Sequence, residues 1–356
     1  MNFNSLRIGN LEAKVPIIQG GMGIGISLSN LSGTVAKEGG IGIISTAQIG
    51  YMEDDFESNT LEANLRALKK HIEKAREIAP KGIIGINIMV ATKHYEEHIK
   101  VAIESGINLI ISGAGIPKNL PKLVKGYDVK IVPIVSSLKA AKLILKLWDT
   151  KYNVIPDAIV VEGPKAGGHL GFNKAELENI DNIAFDECVK DIINFKKEYE
   201  EKYKKNISII PAGGIYDGND IAKYLKMGAD GVQMGTRFVA TEECDAHKNF
   251  KMAYVDCKKE DINIVKSPVG MPGRAIINPF IKKVENEKEV IKKCYDCLIP
   301  CNPRTTDYCI TKALIESAKG NVDSGLLFCG ENAYKIKEIS TVKNIINEVL
   351  REIENS

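Results

Sequence analysis

The chain has 356 residues, 44% of them hydrophobic and 6% aromatic, enough to bury the core of one large α/β domain with an insertion. Its 48 Lys and Arg nearly cancel its 46 Asp and Glu, which excludes the strong field that nucleic acid or an anionic membrane would need and leaves a small molecule as the expected partner. Residues 1–15 lack the apolar stretch of a signal peptide, and the longest apolar run, 82–91, is well short of the ~20 residues of a bilayer span, so a cytoplasmic protein is expected.

In chain order, short β-branched runs alternate with helical patterns. The runs are 15–20, 40–46, 82–89, 109–112, 130–135, 158–162, 208–212 and 231–234. Their near-continuous apolarity is that of parallel strands covered on both faces. Between them lie amphipathic stretches such as 60–79, where Leu61, Leu65, Leu68, Ile72 and Ala75 recur at three and four residues opposite a charged face. Eight strands each followed by a helix close most naturally into a (β/α)8 TIM barrel; an open doubly wound sheet usually stops at five or six. The eighth helix comes late. Residues 241–330 read as an irregular stretch rich in charge, Pro and Cys, and only 342–353 resumes a helical period. The expected organisation is a barrel over 1–240, an inserted lobe at its mouth over 241–330, and a segment 331–356 whose helix completes the barrel.

The active site of such a barrel lies at the carboxyl ends of its strands, and glycine is concentrated there. The first run ends in Gly20-Gly21-Met22-Gly23, where backbone can approach a flat ligand. Asn87 would place an amide at the apolar end of the third run, where it needs a partner such as a ligand's ring edge. Ser112-Gly113-Ala114-Gly115 and Ser136-Ser137 add small polar groups after the fourth and fifth. The sixth leads into Glu162-Gly163-Pro164-Lys165-Ala166-Gly167-Gly168-His169, an imidazole on flexible glycines whose ordinary pKa suits proton transfer near neutrality. Gly213-Gly214 after the seventh run and Gln233-Met234-Gly235-Thr236 at the end of the eighth stand where this architecture usually binds phosphate.

Taken together, Gln19-Gly20-Gly21-Met22-Gly23, Gly85-Ile86-Asn87, Ser112-Gly113-Ala114-Gly115, Ala166-Gly167-Gly168-His169-Leu170-Gly171, Ala212-Gly213-Gly214-Ile215 and Gln233-Met234-Gly235-Thr236-Arg237-Phe238 resemble, in order, the motifs of the nitronate monooxygenase family and of its relative, the FMN-dependent enoyl-acyl carrier protein reductase. The resemblance implies FMN across the barrel mouth, its phosphate on Gly213, Gly214, Gly235 and Thr236. The ring would lie near Gly21, Met22, Asn87 and Gly167, flanked by Gly20, Gly23, Ser112, Glu162, Gly168, Gln233 and Met234. His169 matches the family's catalytic histidine. The implied reaction oxidises an alkyl nitronate with oxygen to a carbonyl compound and nitrite, and His169 would take the α-proton of a neutral nitroalkane. Glu162 stands where many nitronate enzymes carry glutamine and the reductases tend to carry glutamate, so NAD(P)H-dependent reduction of an enoyl thioester stays open. A flavin- or metabolite-binding redox sensor without catalysis is the reading from another class, and a homodimer is one assembly open to the chain.

Two further patterns carry ligand chemistry. Cys294-x2-Cys297-x3-Cys301-x7-Cys309 has the compact spacing of an iron–sulfur or zinc site, which free thiols would fit as well. His94-x2-Glu97-His98 matches a zinc-protease pattern, but its place after the third run reads as a solvated helix face.

Overall fold

The computed structural model describes residues 3–356; residues 1 and 2, at the head of the expected barrel segment, lie outside the described residues. Among the described residues eight parallel strands close into a barrel: β1 (Ile17–Gln19), β2 (Ile41–Ser45), β3 (Ile83–Met89), β4 (Leu109–Gly113), β5 (Lys130–Val135), β6 (Ala158–Glu162), β7 (Ser208–Ala212) and β8 (Val232–Met234). The ring is sealed where β6 pairs with β7, Ala158 to Ser208 through Glu162 to Ala212, and where β8 pairs with β1, Val232 to Ile17 through Met234 to Gln19. Each strand falls within its expected run except β4, which continues one residue to Gly113.

The reason the strands read as unbroken apolar runs is visible in their alternation. Ile18, Ile43, Ile111, Val160 and Ile210 point into the barrel, while Ile17, Ile44, Ile110, Ile159 and Ile209 point out to the helices. An antiparallel hairpin, Leu6–Ile8 with Leu11–Ala13, packs fully buried Leu6 and Ile8 against the interior set and adds an element that the period-two pattern was too short to reveal.

The outer ring comprises α1 (Ser29–Lys37), α2 (Thr60–Ile78), α3 (Tyr95–Glu104), α4 (Leu120–Leu123), α5 (Leu138–Tyr152), α6 (Phe185–Tyr203), α7 (Gly218–Met227) and α8 (Val342–Asn355). On α2 the buried stripe is Ala63, Ala67, Leu68, Ile72 and Ala75, with Leu61 and Leu65 only half-buried: the small alanines let the helix lie close to the sheet. The late helix α8 buries Val349 and Ile353, and its Glu352 carboxylate accepts the N–H of Gly218 at the start of α7 (2.6 Å).

Between β8 and α8, residues 241–330 are more regular than expected. They contain helices Lys248–Asp256, Pro279–Val284 and Ile310–Ala318 and an antiparallel pair, Ile262–Lys266 with Pro272–Ile276. These elements are short, so their periodicity is weak in sequence, but they bury clusters of their own around Phe250 and Tyr254 and around Phe280, Ile281 and Leu326. Each such fully buried large side chain is worth roughly 1.5–3 kcal/mol. The hairpin gains a third strand from the barrel itself: Gly168–His169 pairs with Arg274 and Gly273. The strand Pro272–Ile276 thus holds the loop that follows β6.

Candidate active site

At the carboxyl ends of the strands a cavity of about 470 Å³ opens, lined by residues from the β1, β2, β3, β4, β5, β6, β7 and β8 exits together with Tyr254, Met271, Phe328, Cys329, Gly330 and Asn332 of the later chain. Of the residues singled out from sequence, Gly20, Gly21, Met22, Gly23, Asn87, Glu162, Gly167, Gly168, His169, Gly213, Gly214, Gln233, Met234, Gly235 and Thr236 all line it.

Ser112 does not, which corrects the expectation for that residue. Alternation along β4 turns Ile111 inward and Ser112 outward, where its fully buried hydroxyl lies 2.8 Å from the Tyr95 hydroxyl on α3.

The glycine turns are packed against one another so tightly that the wall of the cavity is backbone. A Cβ on Gly167 would stand 2.5 Å from the Cys329 carbonyl carbon, and one on Gly21 would stand 2.2 Å from Asn87 Cβ. The N–H groups of Gly214, Gly235 and Thr236, all at the cavity, donate to no acceptor within the described residues, while Gly213 stands at the end of the β7–β8 ladder beside Gln233. Thr236 Oγ1 accepts the N–H of Gly330 (2.9 Å), which leaves its own proton for a ligand. Asn332 Nδ2 donates to the Gly214 carbonyl (2.6 Å), so the segment before α8 closes over the same turn. Beside these turns, Gln233 Oε1 is buried without a partner, a state that costs free energy unless a donor arrives. A cluster of unmatched N–H donors suits a phosphate, and an unmatched amide oxygen suits a ring N–H; the residues present fit a flavin mononucleotide.

The end of β6 and the loop after it carry two buried titratable groups, Glu162 and His169. Burial alone pushes the Glu162 carboxyl up to about 7 and the His169 imidazole down to about 4. The ordinary pKa expected of His169 is therefore not the one it has, because the imidazole is held under the lobe with its ring edge-on to Phe328, centroids 4.9 Å apart. Its Nε2 lies 2.7 Å from Ser267 Oγ. Buried Arg274 clamps the rest of the loop, donating from Nη1 to the carbonyls of Pro164 (2.7 Å) and Ala166 (2.6 Å). Ser267, Arg274 and Phe328 escaped the sequence reading: each lies about a hundred or more positions from the residue it serves, and none sits in a motif.

A second cavity of about 350 Å³ adjoins the first across His169, Met89, Thr92 and Leu314 and runs along α3 to the cysteine segment, where Cys294 and Cys297 line it. His98 also lines it and is buried, donating from Nδ1 to the His94 carbonyl (2.8 Å), so this histidine does not stand on the solvated face expected of it. Among the described residues every cysteine is a free thiol, and no three His, Cys, Asp or Glu side chains are gathered tightly enough to hold a single metal ion. No helix among them is long and apolar enough to cross a membrane.

The family model described as nitronate monooxygenase matches residues 4–352. The chain is 26% identical to a probable nitronate monooxygenase of Staphylococcus saprophyticus, over 98% of each chain. Among solved structures it is similar to FabK from Thermotoga maritima, with a TM-score of 0.72 and 26% identity over 96% of this chain and 94% of that one. It shares the fold of a nitroalkane oxidase from Streptomyces ansochromogenes, with a TM-score of 0.71 and 18% identity over 96% of each.

Proposed function

The chain belongs to the nitronate monooxygenase family, and from that premise we propose that it holds FMN in the barrel mouth and oxidises alkyl nitronates with oxygen to a carbonyl compound and nitrite. The observation that carries the reading is the set of unmatched N–H donors on Gly214, Gly235 and Thr236, beside the Gly213 turn, together with an unmatched Gln233 Oε1 at the same cavity. The first set would hold the phosphate. Gln233 and the Asn87 amide would meet the ring edge, with Gly20, Gly21, Met22, Gly23, Gly167, Gly168 and Met234 as backbone and side-chain walls. FMN, when bound, supplies an electron acceptor that oxygen can reoxidise. In this reading residues 1–240 form the flavin barrel, 241–330 the lobe over its mouth, and 331–356 the segment that closes it.

The two titratable groups divide the work. An imidazole lowered to about 4 is a poor base toward carbon, so His169 serves as a neutral hydrogen-bonding group and the favoured substrate is the ionised nitronate rather than the neutral nitroalkane. Glu162, near 7, is the group matched to taking or giving a proton at neutral pH.

That carboxyl also favours a second reading, reduction of an enoyl thioester by NAD(P)H. Hydride addition at one carbon there leaves the neighbouring carbon to receive a proton, and the adjoining cavity offers room for an acyl chain.

Anaerobic mixing separates the readings. Bleaching of the bound flavin by propyl nitronate alone, with nitrite formed on admitting air, is the expected result. Bleaching only by NADH or NADPH, with turnover of crotonyl thioester, would replace the first reading by the second. A His169→Ala variant that keeps its flavin but loses turnover rejects a non-catalytic sensor; unchanged turnover would remove His169 from the mechanism.

A further inference from the structure

The second cavity opens from the first at the imidazole: Thr46, Ala47, Met89, Thr92, His169 and Leu314 line both. A molecule reacting beside His169 therefore has a place for a tail. One wall of that place is barrel, with Leu61 on α2 and His98 on α3, and the other is lobe, with Val269, Leu298 and Ile310. The lining is mostly apolar, which a hydrocarbon chain matches.

The lobe wall is held in place. Leu298 bridges to Thr92 across the exit of β3, where the Lys93 N–H donates to the Cys297 carbonyl (3.1 Å) and the Ile299 N–H to the Ala91 carbonyl (2.8 Å). Tyr295 stacks on Phe56 (5.5 Å) and donates its hydroxyl to Glu57 (2.9 Å). These ties fix the segment that carries Leu298, so the space beside it is preset rather than shaped by whatever enters.

Two buried side chains of the barrel wall have a polar atom to spare. His98 is 3% exposed, and its Nδ1 donates to the His94 carbonyl (2.8 Å). Burial keeps the imidazole neutral, so Nε2 is an acceptor, without a partner among the described residues. Gln48 is the complement. The Gly50 N–H donates to Asn64 Oδ1 (2.8 Å) and Asn64 Nδ2 to Gln48 Oε1 (2.7 Å), an order that leaves the hydrogens on Gln48 Nε2 unspent among the described residues. A hydroxyl both donates and accepts, so it can meet either atom, and a methyl end can meet neither. In an apolar wall, an unmet polar atom costs free energy.

We infer that the second cavity is the substrate's tail site and selects an unbranched aliphatic chain bearing a hydroxyl, with Leu298 setting the space for the chain and His98 accepting from the hydroxyl. The inference rests on the reading of the barrel mouth as the place of reaction.

The test has a binding arm and a kinetic arm, both on the full chain with its flavin. Calorimetric titration with octanol should show one site per chain. Leu298→Trp, which fills the space, should abolish the binding, and His98→Phe should weaken it about fivefold. Far-ultraviolet circular dichroism shows whether the variants are folded. The kinetic arm needs no variant: from propyl to octyl nitronate, kcat/KM should rise about fourfold per methylene until the cavity is full, and a terminal hydroxyl should raise it again among the longer chains. No octanol binding, His98→Phe equal to the parent, or a kcat/KM flat in chain length would each overturn the inference. A flavin that no nitronate bleaches, in a protein whose octanol binding both substitutions impair, would leave the tail site standing and remove the reaction assigned to the mouth.

Discussion

His169 Nε2 and Ser267 Oγ lie 2.7 Å apart, joining a loop of the barrel to a turn of the lobe across 98 positions of sequence. The bond sets the imidazole's orientation at the cavity, so Ser267 is a positioning residue. Ser267→Ala should lower kcat about fivefold, in line with a hydrogen bond worth ~1 kcal/mol, with flavin content unchanged. Ser267→Thr should recover part of the loss. Steady-state kinetics on both variants check this; a change in KM alone would assign Ser267 to substrate binding.

Glu162 and His169 make opposite contributions to stability as pH changes. Between the ordinary carboxyl value of 4.5 and about 7, folded Glu162 keeps a proton that the unfolded chain has released, so its contribution falls as pH rises through that window. Folded His169 lacks, between about 4 and 6.5, a proton that the unfolded chain holds, so its contribution grows as pH rises there. Glu162→Gln removes only the first. The variant should gain on the parent as pH rises from 4.5 to 7, by at most about 3 kcal/mol, with the difference level above that range. Urea denaturation at a series of pH values measures it. A flat difference would mean that the carboxyl is not buried as described.

Gly213 has φ of +90° and no room for a side chain: a Cβ would stand 2.9 Å from both Ala166 N and Gly163 O. Gly213→Ala should cost ~1–2 kcal/mol in backbone strain alone and displace the turn that lines the cavity, lowering the flavin-to-protein ratio. Gly106→Ala is the contrast, with φ of +80° and nothing within 4 Å. It should lower Tm by a few degrees and leave the flavin ratio intact.

Arg274→Met would leave the carbonyls of Pro164 and Ala166 without their buried donor. Each unsatisfied group costs ~1–3 kcal/mol, so a loss of about 2–4 kcal/mol in urea denaturation is expected. The loop carrying His169 should also loosen, and limited proteolysis between 163 and 169 should quicken. Arg274→Lys should recover part of the loss, because both bonds come from the one nitrogen Nη1 and an ammonium also carries more than one N–H.

The strands were legible because parallel strands buried on both faces leave long apolar runs, and 130–135, 158–162 and 208–212 match β5, β6 and β7 residue for residue. The glycine motifs were legible because a barrel brings every strand's carboxyl end to one rim, whatever lies between. Ser112 was misread because a motif names residues without saying which way a strand turns them. Short lobe elements such as Pro279–Val284 lack the length over which a period can be recognised.

By itself, the order of apolar runs and turn glycines determined the barrel and the end at which its chemistry sits, since both follow from local periodicity and chain direction. Only the tertiary structure decided the burial that shifts Glu162 and His169 and the contact of His169 with Ser267. Those depend on which distant segments exclude water from a side chain, and desolvation is a property of the packed whole rather than of neighbours along the chain.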